Sequence, residues 1–257
     1  MNAGPRRRGP LRWFSPAVIA VLFAVGCHLS EAGAAAPGGG EVGAATRAVA
    51  ALAAGARPRP ATAIAGAAPA FSAHVDRVTA QTVPYTWRTG CPVGPPGLRL
   101  LSVGYWGFDG IAHTGRIVVN ESVVSDVIDV FRALYDERFP IWEMVPEDAY
   151  HGNDNAAAAA DDTSGFNCRY AVAPGPPRWS VHAYGEAIDV NDVQNPYIDG
   201  TTVIPPAGRA YLDREDIRPG MAVPGGELVR AFASVGWFWG GRWSASPDYQ
   251  HFSVTGG

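Results

Sequence analysis

Ser180 to Asp192 reads SVHAYGEAIDVND, and the way this stretch folds decides what the chain can be. His182 and Asp189 stand seven residues apart, two turns of a helix, so a helix would set them on one face. Gly185 interrupts such a helix. The segment AIDVN alternates as a strand does, with Ala187, Asp189 and Asn191 on one side and Ile188 and Val190 on the other. The stretch is therefore a bend followed by a strand: His182 lies on the approach loop, and Gly185 lets the backbone turn to bring it beside Asp189. A further histidine, His251, sits in the strand-like YQHFSV, facing opposite to Gln250, Phe252 and Val254. Two such strands side by side present Asp189 and His251 on one face. Two imidazoles and one carboxylate are a common catalytic zinc set, with a fourth position left for water.

Working outward, LRLLSVGYWGF and GRIVVN read as short strands flanking the turn DGIAHTG. ESVVSDVIDVFRALYDERF carries apolar residues at Val123, Val124, Val127, Ile128, Phe131, Leu134 and Tyr135, the spacing of a helix, with Asn120 as its N-cap and Pro140 closing its far end. Residues 148–178 read as a long polar loop rich in Gly, Pro and Ala. PYIDGTTVIPPAG reads as another loop, and a helix is expected around Gly226–Val235. Strands and helices that do not alternate point to an α+β fold.

The chain has 257 residues, and all 20 of its basic residues are arginine. Arg6, Arg7, Arg8 and Arg12 precede a 13-residue, mostly apolar run from Phe14 to Gly26, a length that suits a signal peptide and is short for a membrane span. The run ends in AVGC, which resembles a bacterial lipobox with Cys27 as the lipidated residue. Ala24 stands where leucine is usual, and ordinary cleavage near Ala32-Gly33-Ala34 is the alternative. Residues 28–70 are mostly Ala, Gly and Pro with no aromatic side chain, too little apolar surface to offset the entropy of ordering, and read as a flexible tether. The folded domain is expected over residues 71–257.

Export leaves Cys91 and Cys168 as the only cysteines of that domain, a pair best read as one disulfide, with two free buried thiols as the alternative. Without residues 1–26, which hold four arginines and no acid, the chain has 16 basic and 24 acidic residues, a net charge of −8. That balance offers no nucleic-acid face.

Other chemistries fit less well. A calcium loop starting at Asp189 fails because Gln194 stands at its sixth position, where glycine is required. A Ser180/His182/Asp189 triad is conceivable, but the chain has no G-x-S-x-G elbow. His28, His74 and His151 read as structural or exposed histidines.

SVHAYGEAIDVN followed by PDYQHF resembles the S-x-H-x-x-G-x-A-x-D … (D/E)-x-x-H signature of the zinc D-alanyl-D-alanine carboxypeptidase family, which also contains L-alanyl-D-glutamate endopeptidases. The likeness extends through GFDGIAHTGRIVVN, RFPI, DDTSGFNCRY and NPY, across residues 85–257. It implies a small antiparallel sheet with flanking helices, the α+β fold shared with hedgehog signalling domains. It also implies Zn2+ held by His182, Asp189 and His251, with Asp248 as general base. Many members have glutamate at that position, so Asp248 reaches one methylene less far. Arg169 falls at the family's substrate-binding arginine, with a surface ion pair as the bland alternative. Ser180 either orients the site or touches substrate. Asp109 and His113 belong to the likeness as a buried hydrogen-bonding turn, while Tyr184 and Trp243 wall the cleft or pack in the core.

The expected function is an exported zinc peptidase acting on peptidoglycan stem peptides as a D-alanyl-D-alanine carboxypeptidase. An L-alanyl-D-glutamate endopeptidase shares every residue named. A metal-bearing binding module without turnover and a structural cell-wall tether are the readings from other classes. The protein is expected to be an extracytoplasmic monomer, touching membrane only through a lipid anchor at Cys27.

Overall fold

The computed structural model describes residues 69–172 and 176–256. The expected leader, Cys27 and the tether as far as residue 68 lie outside the described residues. Among the described residues no helix is long and apolar enough to cross a membrane.

Strands β1 (Ala73–Arg77), β2 (Leu98–Gly107) and β3 (Ala112–Asn120) form an antiparallel sheet in that order, and β4 (Pro140–Ile141) pairs in parallel with the end of β2. Helix α1 (Val124–Asp136) packs on this sheet. After it come α2 (Asp154–Ala159), β5 (Ala187–Asp189), the hairpin β6 (Tyr197–Asp199) and β7 (Thr202–Ile204), α3 (Glu227–Ser234), β8 (Phe238–Trp239) and β9 (His251–Ser253). A second antiparallel sheet has the order β5-β9-β8. The fold is α+β.

The two-residue period of β2 feeds both faces of the larger sheet. Leu101 and Val103 join α1, α3, β5 and β9 in the main core, around Phe131, Ile188, Phe232 and Phe252. Leu98 and Leu100 face the other way, against Val78, Val83, Val118, Phe166 and Cys168. Cys168 is bonded to Cys91, with Cα atoms 5.9 Å apart. The sheet is thus covered on both sides, and the disulfide belongs to the smaller cluster.

Several elements differ from the expectation. Asn120 caps the 3-10 turn Glu121–Val123, its side chain accepting from Ser122 N, and α1 starts only at Val124. The helix stops at Asp136 before reaching Pro140, and Arg138 turns the chain with a φ of 55°. β1 was not foreseen, because all five of its residues are exposed and carry no alternation. The expected loop 148–178 contains α2, capped by Asn153, whose side chain accepts from Ala156 N. The expected loop after Asn195 contains the β6–β7 hairpin, turned at Gly200 with a φ of 57°.

Candidate metal centre

His182 sits on a single 3-10 turn, Val181–Tyr184. Ser180 opens the turn with its Oγ accepting from His182 N, and Gly185 closes it with a φ of 69°. Only glycine suits Gly185, since a Cβ there would lie 2.6 Å from Asn120 N. That closeness lets the turn dock on the end of β3: Asn120 N donates to Gly185 O at 2.8 Å, and Asn120 Nδ2 to Tyr184 O at 2.8 Å. Residues 164–167 are wedged between the two: Phe166 N donates to Val118 O, Asn167 N donates to His182 O, and Ser164 and Asp189 exchange both backbone bonds. On the far side Asp189 pairs directly with His251 across β5 and β9. The strand reading holds for Ala187–Asp189 and stops there, Asn191 having a φ of 51°, and the facing of Asp189 and His251 holds.

His182, Asp189 and His251 are all buried, and one ligand atom from each lies within 4.8 Å of the others. His182 Nε2 is 3.2 Å from Asp189 Oδ2 and 3.2 Å from His251 Nδ1, which is 3.1 Å from Asp189 Oδ1. His182 Nδ1 is 2.7 Å from Gly165 O, and a carbonyl can only accept. The ring proton therefore sits on Nδ1, and in the neutral ring Nε2 turns a lone pair toward the other two donors. Tetrahedral zinc with bonds of roughly 2.0–2.1 Å would separate its nitrogen ligands by about 3.3 Å. The side chains present fit such a cation. Electrostatics agrees that positive charge belongs here: burial opposes a charge on His182, yet Asp189 overrides it and holds the imidazole up at about 9. Burial also works against the Asp189 carboxylate, but His182 and His251 hold it well below the usual carboxylate range. A bound dication would take the place of that proton.

A cleft of about 150 Å³ opens over His182 and His251, with Arg169, Arg178, Trp179, Ser180, Trp243 and Asp248 among its walls. Asp248 Oδ1 is enclosed and has no hydrogen-bond partner. Burial first, and the Asp189 charge second, push its carboxyl well above the usual range. An ordinary aspartate is too weakly basic to take a proton near neutrality, and these two influences correct that. Arg169 donates from Nε to Asp154 Oδ1 at 2.7 Å while also lining the cleft, so the ion pair and the substrate-facing position coexist. Burial acts against its charge, and Asp154, Asp189 and Glu147 more than compensate.

Residues 174–254 match a family model described as D-alanyl-D-alanine carboxypeptidase. Over this span the chain is similar to the D-alanyl-D-alanine carboxypeptidase family. Searches of curated proteins and of solved structures each returned no match. His182, Asp189, Asp248, His251 and Ser180 fall inside the matched segment, whereas Arg169 and both disulfide cysteines precede it.

Around the cleft some expectations need correction. Tyr184 is exposed and lines no part of the cleft, because its turn points its side chain outward; Trp243 does line it. Asp109 and His113 pair at 3.0 Å, but their side chains are 49% and 40% exposed, at the turn that joins β2 to β3. They form a surface turn and not a buried one. Glu186, a second carboxylate in the stretch that carries His182 and Asp189, is absent from the cleft walls. Sequence reasoning missed Glu147, a buried carboxylate that accepts from Ser164 Oγ and Asn167 Nδ2. Burial and the nearby Asp154 push it up to about 7. No motif marks it; only its place in the mostly apolar MVPEDAY hinted at burial.

Proposed function

We propose that this chain is an exported zinc peptidase that removes the terminal D-alanine from peptidoglycan stem peptides. The observation that carries the reading is the convergence of His182 Nε2, Asp189 and His251 Nδ1, with His182 Nδ1 committed to Gly165 O, beside the enclosed carboxylate of Asp248. His182, Asp189 and His251 would hold zinc, which when bound supplies Lewis acidity and a water of lowered pKa, about 7. Asp248 receives the proton of the attacking water and returns it to the leaving nitrogen. Arg169, a fixed cation with forked donors, holds the substrate's terminal carboxylate, with Arg178 at the same cleft. Trp179 and Trp243 wall the cleft and limit water around the reacting bond.

A terminal carboxylate suits a carboxypeptidase, the activity in the family description. A binding module without turnover would need neither Asp248 nor Arg169, and a passive tether would need no metal ligands. The Cys91–Cys168 bond and the family's cell-wall chemistry support an extracytoplasmic setting, with the hedgehog-like fold as the expected scaffold. Digestion of purified muropeptides with mass analysis of the fragments tests the reading. Loss of a single terminal alanine is the expected result, whereas separation of the first stem residue from the second would make the enzyme an endopeptidase.

A further inference from the structure

A second cavity, of about 190 Å³, is lined from α3, β8 and the 3-10 turn Gly240–Arg242. Its walls are mainly the rings of Trp237, Phe238, Trp239 and Trp243, and Arg242 is its only charged residue. The rings are held in place by the protein itself. Trp239 Nε1 donates to Tyr249 O at 2.9 Å, Trp243 Nε1 donates to Gly256 O at 3.0 Å, and Trp237 packs on Phe232. A cavity already in shape loses little side-chain entropy when it is filled.

Two of its residues are not accounted for by packing. Phe238 lines the cavity yet is 56% exposed, a large apolar ring left to water. Arg242 is exposed as well and forms no ion pair with another described residue, whereas Arg99, Arg169, Arg218 and Arg230 each form one.

The cavity also continues from the reaction centre. Trp243 is a wall of both this cavity and the cleft, and its ring centroid lies 5.3 Å from that of His251. Arg169 is shared instead with a small cavity of about 60 Å³ that Glu147, Asp192 and Gln250 help to line and Trp243 does not touch. Arg169 and Trp243 thus mark different ends of the cleft. A substrate with its terminal carboxylate at Arg169 sends the rest of its chain past His251 and over Trp243. Gly240 O accepts from Trp243 N at 3.0 Å and from Asp248 N at 3.1 Å, so the turn that carries Arg242 is fixed relative to the candidate base.

We propose that this cavity is a subsite for an acidic side chain of the substrate upstream of the scissile bond, its methylene groups against the tryptophans and its carboxylate on Arg242. A guanidinium presents only donors, in a fork that matches a carboxylate, and no acidic residue of the cavity competes for it. The rings remove the aliphatic stem from water. Extended residues advance roughly 3.3–3.6 Å each, so the second or third residue before the scissile bond is the one that clears Trp243. A glutamate in a stem peptide meets the requirement: with one carboxyl in the chain, the other stays free. The inference rests on the peptidase reading and narrows its substrate class to peptides with an acid upstream of the terminal alanines.

The test separates binding from turnover. Zinc-loaded full-length protein is titrated with ketomethylene isosteres of pentapeptides ending in D-alanyl-D-alanine, with glutamate or glutamine at the second or the third residue before the blocked bond. At one of these positions glutamate should bind about 3- to 5-fold more tightly than glutamine, the upper range for an exposed ion pair. Arg242→Gln should erase that preference while zinc content and affinity for the glutamine isostere stay unchanged. Phe238→Ala should weaken both members of the pair alike. Neither variant should alter affinity for the dipeptide isostere, which is too short to reach the cavity, and both replace exposed side chains, so the fold is spared. Equal affinity within both pairs overturns the proposal. So does a preference that survives Arg242→Gln, or one that Arg178→Gln removes in its place. A concentration-dependent dimer that Phe238→Ala dissolves also overturns it, because the face then belongs to a second copy of the chain. Hydrolysis of the parent peptides with no glutamate preference strikes the subsite and leaves the peptidase reading standing, and a preference without hydrolysis does the reverse.

Discussion

The two sheets of this molecule are built on different terms. β2 and β3 have ten and nine residues, pair along almost their whole length, and are buried by α1 on one side and the disulfide cluster on the other. The sheet that carries Asp189 and His251 has strands of three, three and two residues. So short a ladder cannot fix three ligands by itself. It is held by contacts to the larger sheet: Gly185 on Asn120, Phe166 on Val118, and the 164–167 segment that touches both. The long sheet supplies rigidity, and the short one supplies a place where irregular backbone can aim polar side chains.

If that division is right, substitutions in the two regions fail differently. His251→Ala has the largest expected effect: zinc content and peptide hydrolysis are lost together, while the thermal transition of the metal-free protein moves little. Asp248→Asn follows, with zinc retained and turnover reduced about 10²- to 10⁴-fold, the usual share of general acid–base catalysis. Near-normal turnover in that variant would take the base role from Asp248. In the scaffold, Phe131→Ala empties a fully buried position on α1 and should cost about 3–5 kcal/mol in denaturant unfolding. The refolded fraction should keep one zinc and normal turnover. Replacing Cys91 and Cys168 together by Ser should cost about 2–4 kcal/mol, since the bond closes a loop with a sequence separation of 77. Because Cys168 precedes Arg169, this variant should also raise KM more than it lowers kcat. A scaffold variant that lost zinc while still folded would break the comparison.

The same contrast explains what could be read from sequence. β2, β3 and α1 were legible because burial on defined faces imposes periods of two and 3.6. β1 escaped because it is exposed along its whole length. The run Ala156–Ala160 concealed α2, since alanine has no apolar face to count, although Asn153 signalled a cap. Asp199-Gly200 was a usable hairpin signal for β6–β7, obscured by prolines at 196, 205 and 206. The three candidate ligands were legible because the strand pattern and the resemblance to the family signature both point to them, and the structure brings them together. Glu147, Asp192 and Gln250 were not, because only tertiary structure brings these scattered residues to one cavity.

The central claim is that His182, Asp189 and His251 hold a zinc ion on which peptide hydrolysis depends. The most direct test measures metal content and stem-peptide hydrolysis on the same samples, before chelation, after it, and after zinc is restored. The account predicts about one zinc per chain in active protein, loss of both on chelation with the fold retained, and recovery of both in proportion to added zinc. Folded, metal-free protein that hydrolyses the peptide at the original rate would contradict it.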